Sequence, residues 1–228
     1  MEKDGLSEEE ALHKCQMIVD HWDKIAKDAS DLHRILVSAE DTDSERYFLG
    51  ATLNTAFQGI VDQIKPAVSE INRNIAWNQA NSRKLKNLNI EAIIKTTGSK
   101  ILGHIDYLFV KPNGDIAIYN IKASTEHESQ WDAVKKEKFR YQLAFLKKIL
   151  EYNGIHARDI QLNIIPVHMQ YDENFNNVIK ITPTKAISYD TINSQYIFQK
   201  YDNVAAQYID SNISTIDVDD SVFGKINM

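Results

Sequence analysis

An acid and a lysine stand on two neighbouring apolar runs in the middle of this chain. Asp106 closes Gly103-His104-Ile105-Asp106, and Lys122 closes Ile118-Tyr119-Asn120-Ile121-Lys122. Asn113-Gly114 lies between them, and an Asn-Gly pair flanked by alternating apolar residues is a strong hairpin signal. A carboxylate on one arm and a lysine on the other suit metal-dependent cleavage of a phosphodiester. Magnesium or manganese polarises the phosphate and lowers the pKa of the attacking water. Magnesium takes oxygen ligands, usually one or two carboxylates with waters. A nearby lysine stabilises developing charge. Residues two apart on a strand share a face, so Asn120 and Lys122 are expected to point the same way, with Asp106 facing them across the hairpin. The chemistry asks for a carboxylate two residues before the lysine, and the chain has the amide of Asn120 there.

The elements that must position these residues are read from periodicity. Ser7-Glu8-Glu9-Glu10 is a capping box opening a helix to about Ser38, with Leu12, Ile18, Val19, Trp22 and Ile25 apolar at helical spacing and Cys15 expected in the core beside them. A second helix is predicted over 45–64, with Pro66 ending it or opening the next turn. Residues 67–87 are predicted to begin helical and then give way to a basic, Asn-rich loop from Asn78 to Asn89. The period then changes to that of strands: Ile90–Thr96, Lys100–Val110 and Asp115–Lys122. A long helix from Ser129 to Tyr152 follows, stopped by Asn153-Gly154. Strands Ile160–Met169 and Val178–Ile181 come next, then a helix over Tyr189–Tyr208 and an acidic tail. The order predicts an α/β fold with a mixed sheet. In domain terms, 1–45 is expected to be a helical extension, 46–185 the core, and 186–228 a helix with an acidic tail.

Composition bounds the partners. With 228 residues, 43% of them hydrophobic and 25% charged, the chain can bury a sizeable core as a globular protein. A lone cysteine, Cys15, excludes a disulfide scaffold and a multi-cysteine zinc site and fits a reducing cytosol. No apolar run reaches membrane-spanning length, so no membrane partner is expected and the expected location is cytoplasmic. The net charge of −6 is uneven: 1–70 carries −8, 71–100 carries +5, 101–158 carries +2 and 159–228 carries −5. A basic middle between acidic ends could follow a phosphate backbone, or could be a solvated lysine-rich face. The candidate nucleic-acid contacts are Arg83, Lys84, Lys86, Lys136 and Arg140. Trp77 beside them could stack on a base or lie in the core.

The ordered set Gly103-His104-Ile105-Asp106, Ile118-Tyr119-Asn120-Ile121-Lys122 and Tyr141-Gln142-Leu143-Ala144-Phe145 resembles the PD-(D/E)XK nuclease superfamily, its RecB-type branch in particular. That branch carries G-x-x-D, then (D/E)-x-K, then a helical Gln with Tyr four residues on, and G-x-x-x-H-x-x-x-E on an upstream helix. The resemblance covers residues 46–170. It implies a restriction-endonuclease-like mixed sheet flanked by helices. It also implies a site of Asp106, Asn120, Lys122 and Gln142, with metal positions at Asp106, Asn120, Asn54 and Gln58.

The departures carry the functional expectation. After Gly50, the histidine position holds Asn54 and the glutamate position holds Gln58. The strand acid is Asn120, and Leu146 stands where the tyrosine would. Three amides at three ligand positions imply a metal site weakened or lost. The leading expectation is therefore a nuclease-like module that binds nucleic acid, DNA before RNA, or takes part in a protein assembly, in a phage or mobile-element setting and virion-associated if so. The alternatives are an active magnesium- or manganese-dependent DNase and a purely structural interaction module. An active enzyme would have Asn120 engineered or another acid, from Asp115, Glu126, Glu128 or Glu137, standing in, with His104 as a further candidate ligand.

Overall fold

The computed structural model describes residues 7–38, 55–79, 81–94, 100–189 and 213–214. The stretch containing Asn54 and most of the expected C-terminal helix lie outside the described residues. Four α-helices are described: α1 Glu8–Asp20, α2 Trp22–Ser38, α3 Val61–Asn74 and α4 Ala133–Tyr152. The strands are β1 Arg83–Ile94, β2 Lys100–Val110, β3 Ile116–Ser124, β4 Ile160–Tyr171, β5 Val178–Pro183, β6 Ile187–Tyr189 and β7 Ile213–Ser214. Hydrogen bonding orders them β5-β4-β3-β2-β1-β7, with β6 also on β4. β1, β2 and β3 form an antiparallel meander. The β3–β4 contacts instead advance together. Ile116 N–H donates to the Asp159 carbonyl at 2.9 Å, and the Asn163 side chain donates to the Ile118 carbonyl at 3.1 Å. β3 and β4 therefore run parallel, joined through α4, as parallel neighbours require a crossover. The result is the expected α/β fold: a mixed sheet flanked by helices, of restriction-endonuclease-like architecture.

The chain divides into two compact units. The first comprises Met1–Ser69, Lys122–His127 and Val167–Pro183. The second comprises Glu70–Ile121, Glu128–Pro166 and Thr184–Met228.

In the first unit the predicted capping box forms as read. Ser7 Oγ accepts from the Glu10 N–H, and the Glu10 carboxylate accepts from the Ser7 N–H. Asp28, buried on α2, is matched by Lys24 Nζ at 2.6 Å and the Tyr171 hydroxyl at 2.9 Å. Burial and this carboxylate hold the Tyr171 phenol well above the usual tyrosine range. The Gln63 side chain donates to the Ile179 carbonyl and accepts from the Ile181 N–H of β5. Two expectations are corrected here. Leu12, Cys15 and Val19 of α1 and Trp22 of α2 are exposed, and α1 turns Met17 and Ile18 towards its own unit instead. Pro66 lies inside α3, since the buried face Ile64, Ala67, Val68 and Ile71 continues past it and outweighs the lost backbone bond.

The second unit holds the main core. α4 lays Leu143, Leu146, Ile149 and Leu150 on Leu108, Val110, Ile116 and Ile118 of the meander and on Leu162 and Ile164 of β4. Its start is fixed by Asp132, which accepts from the Lys135 N–H at 2.7 Å. Its end is fixed at Asn153-Gly154, with Gly154 at φ +78°. Gly103 permits the close approach, since a Cβ there would stand 2.7 Å from Leu146 Cδ2 and 3.1 Å from Ile149 Cδ1. The opposite face of the meander, Tyr107, Phe109 and Tyr119, carries Phe109 and Tyr119 in an edge-on ring contact. Trp77 is buried as a core residue and donates to Gln161. The expected basic loop is instead the first part of β1, where Arg83 to Lys86 pair with Val110 to Tyr107. The hairpin at Asn113-Gly114 is a longer loop than a two-residue turn. Lys111 N–H reaches the Asp115 carbonyl, and Gly114 takes φ +83°.

Candidate functional site

Asp106 sits where the meander departs from regular pairing. The β2–β3 register runs from Val110↔Ile116 to Tyr107↔Tyr119 and stops there, one pair before Asp106 and Asn120. On the other side, the β1–β2 register omits Asn87 opposite Asp106, and Asn87 has φ +50°. Side-chain phase slips at the same place. Ile105 and Leu108, three apart on β2, both enter the α4-covered core, and Leu85 and Leu88 of β1 both pack against it. A regular strand would send residues three apart to opposite faces.

Side chains take over the bonding where the ladder stops. The Ile121 N–H donates to Asp106 Oδ2 at 2.6 Å. The Asp106 N–H donates to Asn120 Oδ1 at 3.3 Å, and Asn120 Nδ2 donates to the His104 carbonyl at 3.3 Å. His104 Nε2 lies 3.3 Å from Asp106 Oδ1, and its Nδ1 lies 3.0 Å from Asn89 Oδ1. Asp106 is 1% exposed and Asn120 is also buried. A buried carboxylate must find partners, and this one is met by a backbone N–H and an imidazole. Asn120 bridges two backbone groups of β2, one donor and one acceptor. An amide of this length offers both, and an ionised carboxylate does not. A carboxylate at 120 would leave the His104 carbonyl without its donor and set a second acid beside Asp106.

These side chains do not suit a divalent magnesium or manganese ion. The buried carboxylate is single, both its oxygens are engaged, and the neighbouring amide is spent on the backbone. Among the described residues no group of three His, Cys, Asp or Glu side chains is placed to hold a metal. Two of the acids considered as substitutes are engaged with other partners. Asp115 accepts from Asn113 and lies 3.4 Å from Arg158, and Glu137 pairs with Arg140 at 2.8 Å.

The remaining predicted residues are placed as follows. Lys122 is partly buried, two residues past Asn120 on β3, and belongs to the first unit. Gln58 is exposed in a 3-10 turn over Thr55–Ile60 in that same unit. Gln142 is exposed on α4 in the second unit. Asn54 lies outside the described residues. The site residues brought together within the second unit are thus Asp106 and Asn120, with His104 beside them. Asn87 and Asn89 of β1 complete the surroundings. No motif pointed to them, and only the strand register sets them opposite Asp106 and His104.

The basic candidates divide into engaged and open. Lys84 Nζ is 3.0 Å from Asn72 Oδ1 and 4.5 Å from the centre of the Tyr107 ring. Lys86 is partly buried, and Arg140 is tied to Glu137. Arg83 and Lys136 are exposed.

No protein-family model matches this chain. No curated protein matches it either. Among solved structures, it is similar to a crystal structure from Eubacterium rectale described as a "putative exonuclease". The two are 12% identical, the match covers 85% of this chain and 74% of the other, and the TM-score is 0.47. That likeness says nothing about activity.

Proposed function

We propose that this chain is a nuclease-fold protein that has given up metal-dependent phosphodiester cleavage and serves as a nucleic-acid-binding or assembly module. The observation that carries the reading is the closed hydrogen-bond set of Asp106 and Asn120. The two side chains that would hold a metal instead replace the missing rungs between β2 and β3. Such a pair holds a sheet together and leaves a phosphate-bound ion nothing to bind. Arg83 and Lys136, exposed and basic, are the contacts proposed for a phosphate backbone, with DNA the preferred partner over RNA. Lys122 and Gln142 keep the residue types of the resembled motif without a metal to serve.

The test is a cleavage assay of the purified chain on single- and double-stranded DNA with magnesium or manganese. No cleavage is expected. Binding is expected to weaken as salt rises, with Arg83→Ala and Lys136→Ala each reducing the slope of log affinity against log salt by about 1. Metal-dependent cleavage that disappears in Lys122→Ala would overturn the reading. Absence of any salt-sensitive binding to DNA or RNA would leave the assembly role in place of the nucleic-acid one.

A further inference from the structure

Tyr119, Gln161 and Asn163 alternate with the core residues Ile118, Leu162 and Ile164, so they point away from α4. There they line a cleft of about 510 Å³ within the second unit, a volume in the range of ligand pockets. Arg73 and Asn74 at the end of α3, Lys185 before β6 and Ser188 within it complete the polar lining. Among the described residues no acid lines the cleft.

The bonds already made fix what each side chain has left to give. The Trp77 indole N–H donates to Gln161 Oε1 at 3.0 Å. An indole only donates, so the Gln161 amide is oriented with its NH2 turned away from Trp77. Burial raises the Tyr119 phenol, and a hydrogen bond from the Trp77 backbone opposes the rise. Only a donor to the phenol oxygen acts in that direction. Tyr119, 3% exposed, therefore keeps its own proton to donate. Glu70 takes Nε and one Nη of Arg73, which leaves the other Nη. Lys185 adds an exposed ammonium. Two acceptors accompany these donors. Asn74 Nδ2 is spent on the Thr184 carbonyl at 3.0 Å, leaving its Oδ1. Ser188 gives its proton to Oδ1 of buried Asn163 at 2.6 Å, while Asn163 Nδ2 goes to the Ile118 carbonyl. Ser188 is left with lone pairs.

We propose that this cleft binds a phosphate carried on a hydroxyl-bearing sugar. Arg73, Lys185, Gln161 and Tyr119 all present donors, and with no lining acid they suit a phosphate oxyanion. Hydrogen bonds assisted by charge in this way are the strong ones. The acceptors of Asn74 and Ser188 suit the hydroxyls of the group that carries the phosphate. A bare anion would leave those acceptors facing negative charge. Glu70 offsets one of the two cations, so the placement of donors and acceptors, more than net charge, sets the selectivity. A free sugar phosphate and the phosphorylated end of an RNA strand, whose ribose keeps a hydroxyl, present the same chemistry. The cleft shares no residue with the proposed contacts Arg83 and Lys136. Its failure would leave the reading of Asp106 and Asn120 standing.

Calorimetric titration of the full chain with ribose phosphate should give one saturable site, with inorganic phosphate binding about tenfold more weakly for want of the hydroxyl contacts. Gln161→Glu keeps an acceptor for the Trp77 indole and sets an anionic oxygen on the cleft. It should weaken ribose phosphate at least about 100-fold, as like charges brought together would. Tyr119→Phe keeps the ring against Phe109 and removes only the hydroxyl. It should weaken binding about tenfold, as should Lys185→Ala at an exposed position. Circular dichroism should be unchanged in each variant. If Gln161→Glu does not fold, Tyr119→Phe and Lys185→Ala decide. Equal binding of the two probes, no saturable binding of either, or affinity indifferent to Tyr119→Phe and Lys185→Ala overturns the proposal. Competition then separates the two sources. Displacement of ribose phosphate by a short RNA strand with a terminal phosphate, and not by the same strand ending in a hydroxyl, assigns the cleft to a strand end. Displacement by neither strand assigns it to a free sugar phosphate. Displacement by both alike would mean an internal phosphodiester and overturn the proposal.

Discussion

Asn120 meets two demands that no carboxylate can meet together. It accepts from the Asp106 N–H and donates to the His104 carbonyl, both inside a buried sheet. Asn120→Asp is therefore expected to destabilise the protein by about 2 kcal/mol at neutral pH, through a lost donor and a like charge beside Asp106. The destabilisation should shrink as pH falls, because protonating the introduced acid restores a donor and removes the repulsion. Urea unfolding of both proteins at two pH values measures this. The same variant assayed with manganese should not cleave DNA. Robust cleavage would mean that Asn120 was the one missing part of a working centre. Asp106→Ala should cost about 2 kcal/mol, since it strips the buried Ile121 N–H of its acceptor.

At the scale of elements, Gly103 is a packing residue. Its missing Cβ is what lets Leu146 and Ile149 of α4 lie on β2. Gly103→Ala should cost about 1–3 kcal/mol by overpacking, read as a lower urea midpoint with an unchanged slope. Asp132→Ala should cost about 1 kcal/mol by removing the N-cap of α4. These elements also show how far the sequence could be read. The bounds of β2, the capping box at Ser7 and the stop at Asn153-Gly154 were legible, because each is set by local chemistry. The course of β1 from Arg83 was not, because Lys84 and Lys86 look like loop residues until β2 supplies their cross-strand neighbours. Which apolar stripe of α1 would be buried was also hidden, since periodicity finds stripes without naming what covers them. At the candidate site, the pairing of Asp106 with Asn120 across the hairpin followed from alternation. The break in the ladder did not, because it depends on Asn87 taking a left-handed conformation opposite Asp106.

Over the whole molecule, buried phenols set an alkaline limit. Burial raises Tyr119 and Tyr189, against opposing effects from the Trp77 backbone and Arg140, and burial with Asp28 raises Tyr171. Above about pH 10 the unfolded chain releases phenolic protons that the folded chain retains, so stability falls as pH rises. The stability linked to these groups is fully present below that pH. At neutral pH Tyr171→Phe should cost about 1 kcal/mol, the worth of its bond to Asp28. The gap between wild type and variant should narrow above about pH 10, as urea midpoints across that range would show. Among the described residues no helix is long and apolar enough to cross a membrane. The Gln63 side chain bears on a different property. Among the described strands β5 ends the order, and its outward backbone groups would ordinarily offer a template to any extended chain that drifts past. By taking up the Ile179 carbonyl and the Ile181 N–H, one glutamine occupies the place of an incoming strand. It denies that margin to amyloid-like growth without adding any strand of its own.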